Sequence, residues 1–208
     1  MHDSDRSDDS KPSHARLFEL VSEQGGYFTA AQAHACGFSK ALLAHHAKSG
    51  HFLRVRQGLY RFREYPSSPR EDVIAAWLAT GREVAVVSHQ SALDILGLSD
   101  VVPEVVDLTV PRAKRYRSAS RGVAIHTTTR RLGKSDVVIR DGLRLTAPVR
   151  SIVDAAEAGT APEQIMAAVD QALDRGMATE SKFLAAAKAR GGRVERLVRQ
   201  ALERRRRP

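Results

Sequence analysis

Lys40, His45, Lys48, Arg54, Arg56 and Arg61 crowd cations and hydrogen-bonding groups into one short stretch, with Ser39 and Ala44 among them. Such a set is suited to gripping a polyanion. Lysine and arginine neutralise backbone phosphates, while short polar or small side chains reach base edges. A second cationic run, Arg112, Lys114, Arg115, Tyr116, Arg117 and Arg121, offers the same chemistry further along. It also reads as a solvated surface loop. Ser88-His89-Gln90-Ser91 invites a nucleophile reading, but neighbours at a helix start diverge and no third member is evident. Asp174, Glu180 and Lys182 suggest a metal-dependent nuclease only faintly, because they fall around a helix–helix turn rather than on adjacent strands. The eight histidines include no H-E-x-x-H spacing, and no G-x-x-x-x-G-K-[ST] phosphate loop occurs. No catalytic residue, metal ligand or cofactor is expected.

Three elements must position the first set. Thr29 and Gln32 have capping-box spacing and open a helix that Cys36-Gly37 stops. Phe38 packs the turn. Ser39 caps a second helix, Lys40 to Ser49, ended by Gly50, with Leu43 and Ala47 inward and Leu42 and His46 flanking them. Lys40, Ala41, Ala44, His45 and Lys48 then face outward. Leu53 and Val55 alternate with Arg54 and Arg56, and Gln57-Gly58 turns the chain into Leu59-Tyr60-Arg61-Phe62. Helix, turn, helix and basic hairpin is the order of a winged helix-turn-helix. Such a second helix fits the DNA major groove, with Arg54, Arg56 and Arg61 expected on phosphate.

Composition agrees. A net charge of +9 over 208 residues, with pI near 10.2, implies a polyanionic partner, although an anionic membrane surface fits the same number. The 42% of hydrophobic residues supports a core, which with 5% aromatics must be mainly aliphatic. The single cysteine, Cys36, excludes an intramolecular disulfide and a cysteine cluster for zinc. Met1-His2-Asp3-Ser4-Asp5 lacks the character of a signal peptide, and no apolar run is long enough to span a bilayer. A soluble, cytoplasmic protein is expected.

The fold class expected is α+β. Residues 1–12 read as a disordered tail, 13–64 as the winged helix-turn-helix domain, and 70–208 as a second α/β domain, with Tyr65-Pro66-Ser67-Ser68-Pro69 as linker. Ser13 caps a supporting helix that ends at Gly25-Gly26. In the second domain Ser88 should cap the helix 89–96. Strands are expected at 84–87, 105–110 and 123–129, and a hairpin turns on Asp141-Gly142. Pro148 and Pro162 open helices; Thr179 or Ser181 opens another; Gly191-Gly192 precedes the last. Its terminal Arg204 to Arg207 read as a frayed, solubilising end rather than a DNA-contacting tail.

Gly37-Phe38-Ser39, Ser49-Gly50 and the run Leu53 to Arg61 resemble the N-terminal domain of AbiEi-type antitoxins. Ser88 to Leu93, Leu96-Gly97-Leu98 and Leu108 to Arg112 are similar to the same family, so the resemblance extends over roughly residues 15–154. His46 departs from it, standing where an apolar residue is expected. The resemblance implies a DNA-binding antitoxin that represses its own type IV toxin–antitoxin operon. It further implies a nucleotidyltransferase-like toxin as functional partner, with no stable complex required, and no enzymatic activity. A stand-alone winged-helix regulator, a DNA-targeted metal-dependent nuclease and a pure protein-interaction module are the alternatives.

Overall fold

Four helix starts obey local capping rules. Ser13, Thr29, Ser39 and Thr179 each accept a hydrogen bond from the backbone N–H three residues on. At Thr29 the box closes, Gln32 accepting the Thr29 N–H in return. A computed structural model of the chain describes residues 11–114, 121–130 and 132–206. Met1 to Ser10, Arg115 and Arg117 lie outside the described residues, and so do the expectations placed on them. Two compact units divide the chain, residues 1–79 and 80–208.

The first unit runs α1 (His14–Ser22), β1 (Tyr27–Thr29), α2 (Ala30–Ala35), α3 (Lys40–Lys48), β2 (Phe52–Arg56), β3 (Leu59–Phe62) and α4 (Glu71–Thr80), of which it holds all but Thr80. Its strands form an antiparallel sheet in the order β1-β3-β2. Helix, turn, helix and hairpin follow one another in the expected order. Leu17, Val21, Phe28, Phe38, Leu43 and Phe52 form one buried cluster. Burying a side chain such as Phe38 completely contributes about 1.5–3 kcal/mol. Phe28 meets Phe52 edge-on at 5.0 Å.

The second face of that sheet is also covered. Tyr27, Leu59 and Arg61 share it by register, and α4 closes on it. Glu71 reaches Arg61 and Tyr27, and Arg56 Nη2 donates to the Ala75 carbonyl at 2.9 Å. Gly26 takes φ +83°, and an added Cβ there would stand 2.5 Å from Tyr65 Cβ and Cγ.

The second unit contains β4 (Val86–Val87), α5 (His89–Leu96), β5 (Val106–Pro111), β6 (Val123–Thr128), β7 (Val137–Arg140), β8 (Leu143–Thr146), α6 (Pro148–Glu157), α7 (Pro162–Asp174), α8 (Glu180–Arg190) and α9 (Gly192–Arg206). Its mixed sheet has the order β6-β5-β4-β8-β7. β5–β6 and β4–β8 are parallel, and the other two pairs are antiparallel. Asp141 and Gly142 both adopt positive φ at the β7–β8 turn, as a tight hairpin requires. Buried Ile152, Ala155 and Ala156 of α6 belong to this unit's core, and α6 touches α5, α7, α8 and α9.

Two expectations are corrected here. Ser88 precedes α5 but makes no side-chain cap. Its Oγ instead receives the Thr109 hydroxyl at 2.8 Å and lies 2.9 Å from His89 Nδ1. Arg204, Arg205 and Arg206 do not fray, and Arg207 lies outside the described residues. Arg204 pairs with Asp170, Arg205 with Asp170 and Asp174, and Arg206 with Glu180. They strap the last turn of α9 to α7 and the start of α8.

Candidate nucleic-acid interface

α2 and α3 are joined by a turn that local hydrogen bonds hold. Phe38 N donates to Ala33 O at 3.0 Å, Gly37 N to His34 O at 2.9 Å, and the His34 ring meets Phe38 O at 2.6 Å. Gly37 takes the left-handed conformation, φ +87°, that lets the chain leave α2 without a Cβ clash. With Phe38 and Leu43 buried beneath it, α3 has one rotational setting. Ser39, Lys40, Ala41, Ala44, His45 and Lys48 are all exposed. They form one continuous side of the helix.

His46 is turned the other way. Its ring lies 5.1 Å from His14, 4.9 Å from Phe52 and 5.9 Å from Phe38. The imidazole serves as one more flat ring against the core, in the place where an apolar residue is expected. Burial lowers its pKa below the ordinary value, and the neighbouring His14, His45 and His51 lower it further. His45, one residue earlier, stays exposed.

The hairpin differs from the expected alternation. Arg54 pairs with Tyr60 but Arg56 pairs with Leu59, leaving Val55 as an extra residue in β2. One inserted residue reverses the side on which everything beyond it points. Arg54 therefore shares the face of Tyr60, while Arg56 shares that of Leu59 and Arg61. Arg54 is exposed. Arg56 is half-buried, bonded to the Ala75 carbonyl, and its pKa is lowered by burial.

Arg61 is the clearest correction. It was expected on phosphate, but it is 6% exposed. Its Nη2 donates to Glu71 Oε1 at 2.8 Å, Tyr65 O at 2.8 Å and Pro66 O at 3.1 Å. Its guanidinium also lies over the Tyr27 ring at 5.5 Å. Those donors are spent inside the protein. Arg63 was passed over in the sequence. It is exposed and donates to the Gly50 carbonyl just past α3. No local pattern marked it, because the contact joins the end of the hairpin to the end of the helix.

In the second unit Arg112 and Lys114 form a short exposed turn after β5. Asp174 and Glu180 are paired with Arg205 and Arg206 rather than with each other. Ser88 is fully buried and cannot meet a substrate as a nucleophile. Among the described residues no three His, Cys, Asp or Glu side chains converge as metal ligands, and no helix is long and apolar enough to cross a membrane.

Residues 15–63 match the family described as "Transcriptional regulator, AbiEi antitoxin". The resemblance read from the helix-turn-helix and hairpin holds over that stretch, and the second segment, from Ser88 onward, lies beyond it. No protein of curated function matches the chain significantly. Among solved structures, the crystal structure of the RV2827C protein from Mycobacterium tuberculosis is similar in fold. The TM-score is 0.57 and the identity 15%, over 90% of this chain and 74% of that one.

Proposed function

We propose, starting from the AbiEi antitoxin match of residues 15–63, that this protein is a DNA-binding antitoxin and autorepressor. α3 reads the major groove of its own operator, and the hairpin rests on the adjacent backbone. One observation carries the reading. Ser39, Lys40, Ala41, Ala44, His45 and Lys48 are uncovered on a single side of the second helix of a helix-turn-helix. Recognition helices present their N-terminal residues to base edges in this way.

Ser39, Ala44 and His45 would meet base edges, and Lys40, Lys48 and Arg54 would meet phosphates. Lys114 of the second unit is exposed and is the further backbone contact in this reading. The neutralised partner is a toxin, nucleotidyltransferase-like by the family resemblance.

Fluorescence anisotropy with the duplex upstream of the gene tests the proposal. Lys40→Ala with Lys48→Ala should weaken binding to every sequence and lower the salt slope by about 0.9 for each lost phosphate contact. His45→Ala should instead change the preference among operator variants. Binding that is insensitive to all three substitutions, with the protein folded, would remove α3 from the interface.

A further inference from the structure

The second unit holds a polar cleft of about 480 Å³ that the DNA-binding reading leaves unused. Its floor is a pair of stacked imidazoles, His89 on His126, with centroids 3.6 Å apart and planes 20° from parallel. His89 opens α5 at φ +50°. A side chain bearing a Cβ holds such a conformation only where its surroundings compel it. His126 comes from β6, its Nε2 2.8 Å from Asp107 Oδ1.

The hydrogen-bond accounts decide what the cleft offers. Ser88 Oγ accepts the Thr109 hydroxyl and lies 2.9 Å from His89 Nδ1. With the Ser88 proton given to Nδ1, His89 carries its hydrogen on Nε2 and offers it as a donor. Burial, and then the neighbouring His126, hold His89 neutral, its pKa lowered to about 4.

On the wall, Asp154 is 3% exposed and accepts from Arg150 Nε and from Arg190. Glu157 accepts from Arg190 as well. These carboxylates and Asp107 are already engaged. The Arg150 terminal amino groups, Arg130, and the Thr127 and Thr129 hydroxyls have no side-chain hydrogen bond or ion pair among the described residues. The unspent charged capacity of the cleft, Arg130 and the Arg150 terminal amino groups, is therefore donor capacity, and it arrives from α6 and the end of β6 with the Thr127 and Thr129 hydroxyls beside it.

We propose that this cleft binds a phosphoryl group carried by a small molecule. A tetrahedral oxyanion takes donors from several directions, whereas a planar carboxylate takes them in one plane. The cleft volume lies within the range of small-molecule sites, about 300–1,000 Å³, so a monoester of nucleotide size fits. Arg150 and His89 Nε2 hold the phosphate from the floor, and Arg130 closes on it from the rim.

The experiment is a titration of the full chain, observing the imidazole C–H signals of His89 and His126. The probes are inorganic phosphate, adenosine monophosphate, adenosine, acetate and a short DNA duplex. Phosphate and the monophosphate should move both signals saturably, and adenosine and acetate should not. Arg130 is exposed and, among the described residues, bound in no ion pair, so Arg130→Ala keeps the fold while weakening phosphate binding by about tenfold or more. Arg150→Lys should weaken it too, with its melting temperature measured alongside. No saturable shift with phosphate overturns the proposal. So does an Arg130→Ala titration identical to wild type, or a response to the duplex alone. Operator binding by the first unit stands or falls separately.

Discussion

Arg61→Leu separates a structural arginine from a DNA-contacting one. The substitution removes an ion pair and hydrogen bonds to two linker carbonyls, all converging on one guanidinium. Removing one partner of a buried pair costs about 3–5 kcal/mol. Here Glu71 keeps 27% of its side chain in water, so part of the cost is recovered by hydration, and the expected loss is about 3 kcal/mol. The unit spans 79 residues. For a domain of that size about 1 kcal/mol moves the midpoint by roughly 4–8 °C, so a fall of roughly 12–24 °C is expected. Trp77, the one tryptophan in the chain, is buried in this unit, and its fluorescence follows the melt.

The same pair gives an acid signature. Burial pushes the Glu71 carboxyl up, but the Ser68 backbone N–H and then Arg61 bring it to a net value below its ordinary one. A lowered carboxyl stabilises above its unfolded pKa and loses that contribution as pH falls through the folded pKa. Wild type should thus lose midpoint temperature below about pH 4.5, and Arg61→Leu should lose less there. Arg54→Ala is the control, with its midpoint unchanged and its salt slope lowered. If Arg61→Leu melts within about 3 °C of wild type while lowering the slope as Arg54→Ala does, Arg61 faces phosphate and the structural argument fails.

Further outcomes are expected. Arg54→Ala should reduce the slope of log K against log salt by about 0.9, whereas Arg56→Ala should change stability more than slope; filter binding and thermal melts distinguish them. Gly26→Ala combines a left-handed φ with a contact at 2.5 Å, and should destabilise the first unit by more than about 2 kcal/mol in urea titration. His89, held neutral, should make the second unit less stable as pH falls from about 6.5 to about 4, because the unfolded chain takes up the proton there first. His89→Gln should flatten that dependence, read as circular dichroism melts against pH. Ser39→Ala removes the α3 cap and should cost about 1 kcal/mol by denaturant titration.

What was legible in the sequence is what neighbours decide. Ser13, Thr29, Ser39 and Thr179 find their partners three residues away, so the helix starts could be read directly. The glycine stops at Gly37 and Gly50 are equally local. Ser88 is spelled as a cap, but a hydroxyl from Thr109, 21 residues on, takes up its oxygen instead. β1 spans three residues, too few to show a period. Arg61 misled because alternation along β3 cannot reveal that α4 covers the second face. Arg204 to Arg206 misled because their acids lie on α7 and α8, 26 to 35 residues earlier. The cleft in the second unit was invisible for the same reason: His89, His126, Arg150 and Arg190 meet only in three dimensions.

Val55, the supernumerary residue of β2, divides the labour of two near-adjacent arginines. Arg54 stays exposed and Arg56 is turned to bracing the protein. A homologue with one more residue in the Gln57-Gly58 turn could restore a regular ladder and bring both arginines to the same side. It would gain grip on a ligand while losing a brace. Under the proposed DNA-binding function, turn length in this hairpin is therefore a single dial that trades affinity against robustness.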